Sequence, residues 1–368
     1  MPTSSRPPFA RQKLSLEDMR EYLAHGIQIV TKDLSGTVFA GEDLTGAKFI
    51  DCDLSDADFR EACLEEASFT MCDAPRSRFD GMKLSRFSLV SSDMNEADFK
   101  GATLTDCQAA GSTFMRADFG ETEMLRCAFA RSPLTGASFE GAQLETVAML
   151  QSDLSEVVFK TAVLHMVFLT EADLRTADLT HTRFQQVLII DGDLRGHTFA
   201  GQTLENCTIM QANLDGVDMR GANLANSIFM NSSLRKANLG SIEGSKAIFN
   251  GADLREADFT GSKLDMANFS GAVLHRTSFQ DCHLPIAQFE GADMRAAAFD
   301  GADLSNANFA NARVEGASLR QVKFQQTSLH MVDLDSTFST GSTGTTKGTD
   351  PHRAVAERYN PFKVKLAE

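Results

Sequence analysis

An all-β solenoid is the fold class this sequence predicts, and three observations predict it. A bulky apolar residue returns at every fifth position from Leu34 to Leu334, starting Leu34, Phe39, Leu44, Phe49 and still in phase at Leu304, Phe309 and Phe324. Five residues at about 100° each turn a helix by roughly 500°, so this spacing cannot keep to one helix face. Two residues before the centres stand small residues such as Ala57, Ala62, Ala97, Ala102 and Ala137. Residues two apart in an extended segment share a side, so the small and the bulky residue face inward and the one between them faces out. That middle residue is often Asp or Asn, as at Asp53, Asp58, Asn213 and Asp258, and Gly recurs at the corner after each centre, as at Gly36, Gly101 and Gly221. A type II turn takes φ > 0 there. Each unit of five is a very short strand and a corner.

Units such as Ala57-Asp58-Phe59-Arg60-Glu61, Ala222-Asn223-Leu224-Ala225-Asn226 and Ala302-Asp303-Leu304-Ser305-Asn306 resemble the consensus of the pentapeptide-repeat family. The resemblance covers about four fifths of the chain and implies a right-handed quadrilateral β-helix with four repeats per coil. The sequence supports four per coil independently, because centres alternate Leu and Phe and every twentieth residue from Phe39 is again Phe, through Phe59, Phe79, Phe99, Phe119, Phe139 and Phe159. The array then amounts to about 15 coils at the ~4.8 Å spacing of adjacent strands.

The organisation expected is a disordered stretch over 1–14, a capping helix and lead-in over 15–30, the array over 31–335, a flexible Ser/Thr/Gly linker over 336–349, and a short helix with a tail over 350–368. Ser15 with Asp18 is a variant capping box, Leu16, Met19 and Leu23 share a face, and Gly26 ends the helix, which would cover the open first coil. Inside the array the exceptions compensate. Ala74 stands where Leu is expected while Met82 and Phe87 are oversized for their small sites; Ala109 comes one coil after Leu89; Ile242 and Gly244 exchange roles. Close packing asks for such compensation.

The chain carries 35 Lys and Arg against 50 Asp and Glu, a formal charge of −15. This argues against direct nucleic-acid binding. No run is apolar enough to span a membrane as a helix and the N-terminal residues lack the core of a signal peptide, so cytoplasmic residence is the default expectation, with signal-less export as the alternative. Six of the seven cysteines (Cys52, Cys72, Cys107, Cys127, Cys207, Cys282) occupy inward small sites and read as core thiols, whereas Cys63 faces out. No metal spacing, cofactor motif or catalytic set is found, and the chain is expected not to be an enzyme. One coil places Gly192, His197, Gln202 and Cys207 at its inward small sites, which reads as a buried polar layer.

The outside carries the functional signal. Arg175, Arg195, Arg235, Arg255 and Arg295 come after one set of centres and Asp173, Asp193, Asp253 and Asp293 precede it, so these ladders should neutralise each other. On the side centred on 149, 169, 189, 209, 229 and 249, charge is absent over six coils. Leu150, Phe168, Leu188 and Ile190, with Met210, Ile228, Met230 and Ile248, form a candidate protein-interaction strip. A two-fold homodimer is the simplest occupant, and a terminal segment folding back is the other. The tail residues Tyr359, Phe362, Val364 and Leu366, interleaved with lysines, suit an added edge strand on a partner. The function expected is a protein-interaction scaffold. Leu16 to Leu44 is similar to the way secretion-associated pentapeptide arrays begin, which implies a secretion accessory or exported effector. The family also contains quinolone-resistance proteins that inhibit type II topoisomerases as DNA mimics, and that resemblance implies the alternative function, against which the Arg ladder stands.

Overall fold

The structure, a computed structural model, describes residues 11–358. The chain is a parallel β-solenoid of about 17 turns, two more than the spacing predicts, and falls into two compact units, residues 1–192 and 193–368.

In the first unit two sides of the coil are stacks of three-residue strands. One runs from Lys83–Ser85 to Arg183–Gln185, the other from Ile29–Val30 to Leu188–Ile190. Partners are offset by 20 residues, as in Phe49↔Phe69↔Leu89. The other two sides are single parallel bridges such as Asp33↔Asp53 and Asp58↔Arg78. Each rung bonds both neighbours: the Phe59 N–H donates to Arg78 O at 3.0 Å and the Asp58 N–H to Thr37 O at 2.9 Å. The recurrent Asp has a local task, because its carboxylate caps the turn. Asp53 Oδ1 accepts from the Ser55 N–H at 3.0 Å, an Asx-type turn.

Inside, Phe39 to Phe159 stack at centroid distances of 4.6 to 5.2 Å, which is the twenty-residue ladder of the sequence. Compensation around Ala109 is incomplete. Although Phe87 packs edge-on against Phe69 at 4.9 Å, a cavity of about 20 Å³ remains among Phe87, Leu89, Leu104, Ala109, Phe114 and Phe129. Ala109→Val, a β-branched residue suited to this strand, is expected to stabilise the unit by about 0.5–1 kcal/mol, since empty volume costs about 24 cal/mol per Å³ and the added methyls are buried. The urea midpoint should rise with its slope unchanged.

The first coil is closed by helix α1, Leu16–Ala24. The Ser15 hydroxyl oxygen accepts from the Asp18 N–H at 3.1 Å, and Met19 is fully buried. Residues 11–14 do not fit the expectation of disorder. Gln12–Lys13 pairs in parallel with Lys32–Asp33, Leu14 is buried, and Arg11 bridges Asp51 at 3.0 Å and Asp73 at 2.7 Å. An apolar residue and a paired cation anchor a stretch that composition alone reads as loose. Residues 1–10 lie outside the described residues.

In the second unit the rungs are bridges throughout most of the array, as in Asn213↔Ser233↔Asp253, and two phenylalanine ladders lie side by side. Phe229, Phe249, Phe269 and Phe289 stack at 5.0 to 5.2 Å, and Phe259, Phe279 and Phe299 at 4.9 to 5.0 Å. The expected flexible linker is instead coil. Thr343–Lys347 pairs in parallel with Lys323–Ser328, the Ser342 hydroxyl donates to Leu319 O at 2.5 Å, and Thr345 Oγ1 accepts from the Gln326 N–H at 3.1 Å. Threonine favours strands, and here the hydroxyls find backbone partners. Gly344 is required: its φ is +99°, and a Cβ would lie 1.4 Å from Phe324 O. Helix α2, Pro351–Arg358, comes next.

Candidate interaction surface

In the first unit the strands from Ile29–Val30 to Leu188–Ile190 place two columns of side chains outward. The column after the centres reads Val30, Ile50, Thr70, Val90, Ala110, Ala130, Leu150, Thr170, Ile190, nine rungs in register with no charge. The column before the centres holds one charge, Lys48, and then Ser68, Ser88, Gln108, Ala128, Ala148, Phe168 and Leu188. Nine rungs span about 38 Å. Val30, Val90 and Leu150 are 45, 40 and 38% exposed. Phe168 and Leu188 are direct neighbours, whereas Thr170 separates Leu150 from Ile190. Val30, Ile50 and Val90 stand outside the sequence-predicted strip. Their signal is the same column traced backward in steps of twenty.

In the second unit the bridges Thr208↔Ile228↔Ile248↔Asn268 stack the four outward residues before the centres. The Gln211 N–H donates to Met230 O at 3.0 Å, setting Met210 and Met230 on successive rungs. Met230 is 38% exposed, and Ile228, Ile248 and Met210 are half-buried. The side stays uncharged to Ser270 and then reaches Glu290. There α2 lies against it. Arg353 Nη2 is 3.4 Å from Glu290 Oε1, the Asp350 N–H donates to His330 Nδ1 at 3.1 Å, and Ala310, an outward residue, is fully buried, as Ala354 nearly is. The fold-back of a terminal segment is thus present beside the predicted strip, over 290–330. The predicted tail contacts Tyr359, Phe362, Val364 and Leu366 lie outside the described residues.

The charged ladders are internally matched. Arg175 meets Asp173 at 2.7 Å, Arg195 meets Asp193 at 2.6 Å, Arg255 meets Asp253 at 2.5 Å, Arg295 meets Asp293 at 2.6 Å, and Arg235 pairs with Asp215 on the preceding rung. The Arg295 guanidinium, through its hydrogen bond, holds the Asp293 carboxyl below the usual carboxylate range. Exposed pairs of this kind add little stability. They leave the face electrically quiet.

The buried polar layer expected at His197, Gln202 and Cys207 is only partly enclosed. His197 and Gln202 are half-exposed rather than enclosed, whereas Gly192 and Cys207 are buried. An imidazole is too large for a site that elsewhere holds Ala, Ser or Cys, so the predicted buried layer is displaced outward. Cys52, Cys63, Cys72, Cys107, Cys127 and Cys282 are free thiols. Cys52 and Cys72 donate to Ile29 O and Phe49 O at 3.3 Å, and burial pushes the Cys282 thiol up to about 12. A protonated thiol is a poor nucleophile. Among the described residues no three His, Cys, Asp or Glu side chains converge in a metal-binding group, and no helix is long and apolar enough to cross a membrane.

Family comparison agrees with this geometry. A model described as pentapeptide repeats (8 copies) matches residues 33–70, 76–108, 152–189 and 207–241, and one described as pentapeptide repeat region matches 252–343, together more than half of the chain. The chain belongs to the pentapeptide repeat family. Such proteins are generally structural or interaction proteins rather than catalysts. No curated protein matches the sequence. Among solved structures, a trypsin-treated form of QnrB1, a plasmid-mediated fluoroquinolone resistance protein, is similar at 21% identity over 57% of this chain and 95% of its own, with a TM-score of 0.34. HetL, a pentapeptide repeat protein involved in heterocyst differentiation regulation from the cyanobacterium Nostoc sp. strain PCC 7120, is 20% identical over 83% of this chain and 96% of its own, with a TM-score of 0.23. Rfr23 from the cyanobacterium Cyanothece 51142 is 18% identical over 43% of this chain and 83% of its own, with a TM-score of 0.15.

Proposed function

We propose that this pentapeptide repeat protein is a non-enzymatic interaction scaffold and that the sheet face carrying the uncharged column is where it binds protein. The observation that supports this is the outward column of nine rungs without a charge in the first unit. Outward positions are free of packing demands, so nothing in the coil excludes Lys or Glu from them, and the matched Arg and Asp pairs of the charged ladders carry charge at equivalent places. A long apolar, uncharged band in water is the mark of a contact surface. Its simplest occupant is the same band of a second copy, packed about a two-fold axis. A secretion accessory is one setting for such a scaffold.

Leu188→Asp with Ile190→Asp places two carboxylates on this face without touching the core. Light scattering should give about twice the 40.0 kDa chain mass for the wild type and the single-chain mass for the variant. A wild type already at single-chain mass defeats the homodimer. If the variant then also captures the same proteins from the native cell as the wild type does, the face is not the contact surface.

A further inference from the structure

Two pairs of cysteines stack on successive rungs of the first unit, and one of them borders the cavity beside Ala109. Cys127 follows Cys107 by one turn of the coil: the Ala128 N–H donates to Cys107 O at 2.9 Å, and Ala128 is in register with Gln108. Both sulfurs lean the same way, with Cys107 Sγ 3.5 Å from Leu84 O and Cys127 Sγ 3.4 Å from Leu104 O. They also lie within hydrogen-bonding contact of each other. Rungs about 4.8 Å apart fall inside the ~4.4–6.8 Å between Cα atoms that a disulfide spans. Cys52 and Cys72 repeat the arrangement. The cavity is the difference. Its space of about 20 Å³ is lined by both Cys107 and Cys127, which are 7 and 3% exposed, whereas Cys52 and Cys72 are 0 and 1% exposed and are not among its walls.

We infer that Cys107 and Cys127 are an oxidation site: a peroxide enters the cavity, oxidises Cys127 and leaves the two sulfurs joined as a disulfide. There is room for a small molecule, since ~10–15 Å³ already holds a water and hydrogen peroxide has only one more oxygen. The Cys107 S–H, donating to Cys127, holds the Cys127 thiol below its ordinary value against the desolvation that opposes it, which favours the thiolate that attacks. The Cys127 sulfur takes one peroxide oxygen, the O–O bond breaks, and the hydroxide released takes up the proton that Cys127 gave up, as the first water. Cys127 is then a sulfenic acid. The Cys107 sulfur attacks it, the S–S bond forms, the S–O bond breaks, and the Cys107 proton leaves with the hydroxyl as the second water. Two thiols have lost two electrons and the peroxide has gained them. The bond ties strand Gln108–Ala110 to strand Ala128–Ala130, so oxidation cross-links two rungs of the sheet face that carries the uncharged column, without adding charge to it.

The full-length chain tests this. It is treated with hydrogen peroxide, its remaining thiols are blocked in denaturant, and disulfide-linked tryptic peptides are followed by mass spectrometry. The Cys107–Cys127 link should accumulate at least about tenfold faster than the Cys52–Cys72 link, because oxidation follows access. Ala109→Val, which fills the cavity, should slow it at least about threefold and leave the Cys52–Cys72 rate where it was, which separates loss of the cavity from a general gain in stability. Cys107→Ser, which installs the side chain that Ser227 buries at the equivalent site of another coil, should stop at a Cys127 sulfenic acid that dimedone captures. Equal rates for the two pairs, or an unslowed rate in Ala109→Val, overturn the site. Cys127 carried on to sulfinic acid in the wild type with no link formed overturns it as well.

Discussion

Phe269→Ala is expected to cost the second unit about 4 kcal/mol, within the ~3–5 kcal/mol that truncating a buried phenylalanine removes. Phe269 is fully buried and stands where the two ladders meet. It stacks on Phe249 at 5.0 Å and on Phe289 at 5.1 Å, and meets Phe259 and Phe279 edge-on at 5.6 and 5.3 Å. Each aromatic pair contributes roughly 0.5–1.5 kcal/mol beyond burial, and the rungs above and below are held by backbone bonds too regular to collapse into the gap. In a repeat array each coil is stabilised by its neighbours, so the loss is local. Urea unfolding should show the reduced stability, and amide exchange should accelerate first around residues 249–289. Phe338→Ala is the contrast. That ring is 54% exposed, so its removal should cost less than about 1 kcal/mol despite its contact with Arg320. Equal costs at the two positions would show that burial within the ladder is not what holds the coil.

The ladders were legible in the sequence because the pitch of the coil equals a whole number of repeats. Phe39 predicts Phe59 and Phe159 from position alone, and the rings stack accordingly. What the period cannot reveal is whether a departure from it is fully repaired. Phe87 only partly offsets Ala109, because its ring turns toward Phe69 rather than into the space above Leu89. That choice depends on side-chain torsions, which carry no trace in the spacing. The same limit applies at the end of the chain. Ser, Thr and Gly from 336 to 349 compose a linker and a last coil equally well, and the decision rests on hydroxyls that reach backbone groups at Leu319 and Gln326 and on one glycine at φ +99°.

The contact face was half legible. Leu150, Phe168, Leu188 and Ile190 stand out by size, whereas Ile50, Thr70, Ala110 and Ala130 are ordinary residues whose shared lack of charge appears only when read as a column. An absence spread over the whole column is invisible to any local window. At His197 position in the repeat points to the interior, but side-chain volume overrides position.

Gly244→Leu should cost about 3 kcal/mol, although it restores the residue type the period asks for. Gly244 occupies a bulky site and has no positive φ to protect, so its small size answers to its neighbours. A Cβ there would lie 2.8 Å from Leu264 Cδ2 and 3.2 Å from Ile242 Cδ1. Ile242, fully buried at a site meant for Ala, already fills the volume, and overpacking a filled core costs typically ~1–3 kcal/mol. Ile242→Ala alone should cost a similar amount for the opposite reason, by leaving a cavity beside a glycine. Together the two changes exchange the volumes back, and the double variant should return to within about 1 kcal/mol of the wild type. The coupling energy from the four proteins' urea midpoints would then be several kcal/mol, at or above the ~0.5–3 kcal/mol usual for residues in contact. Additive costs would mean that the coil interior tolerates each site independently, and that the exchange of Ile and Gly at this rung has no packing basis.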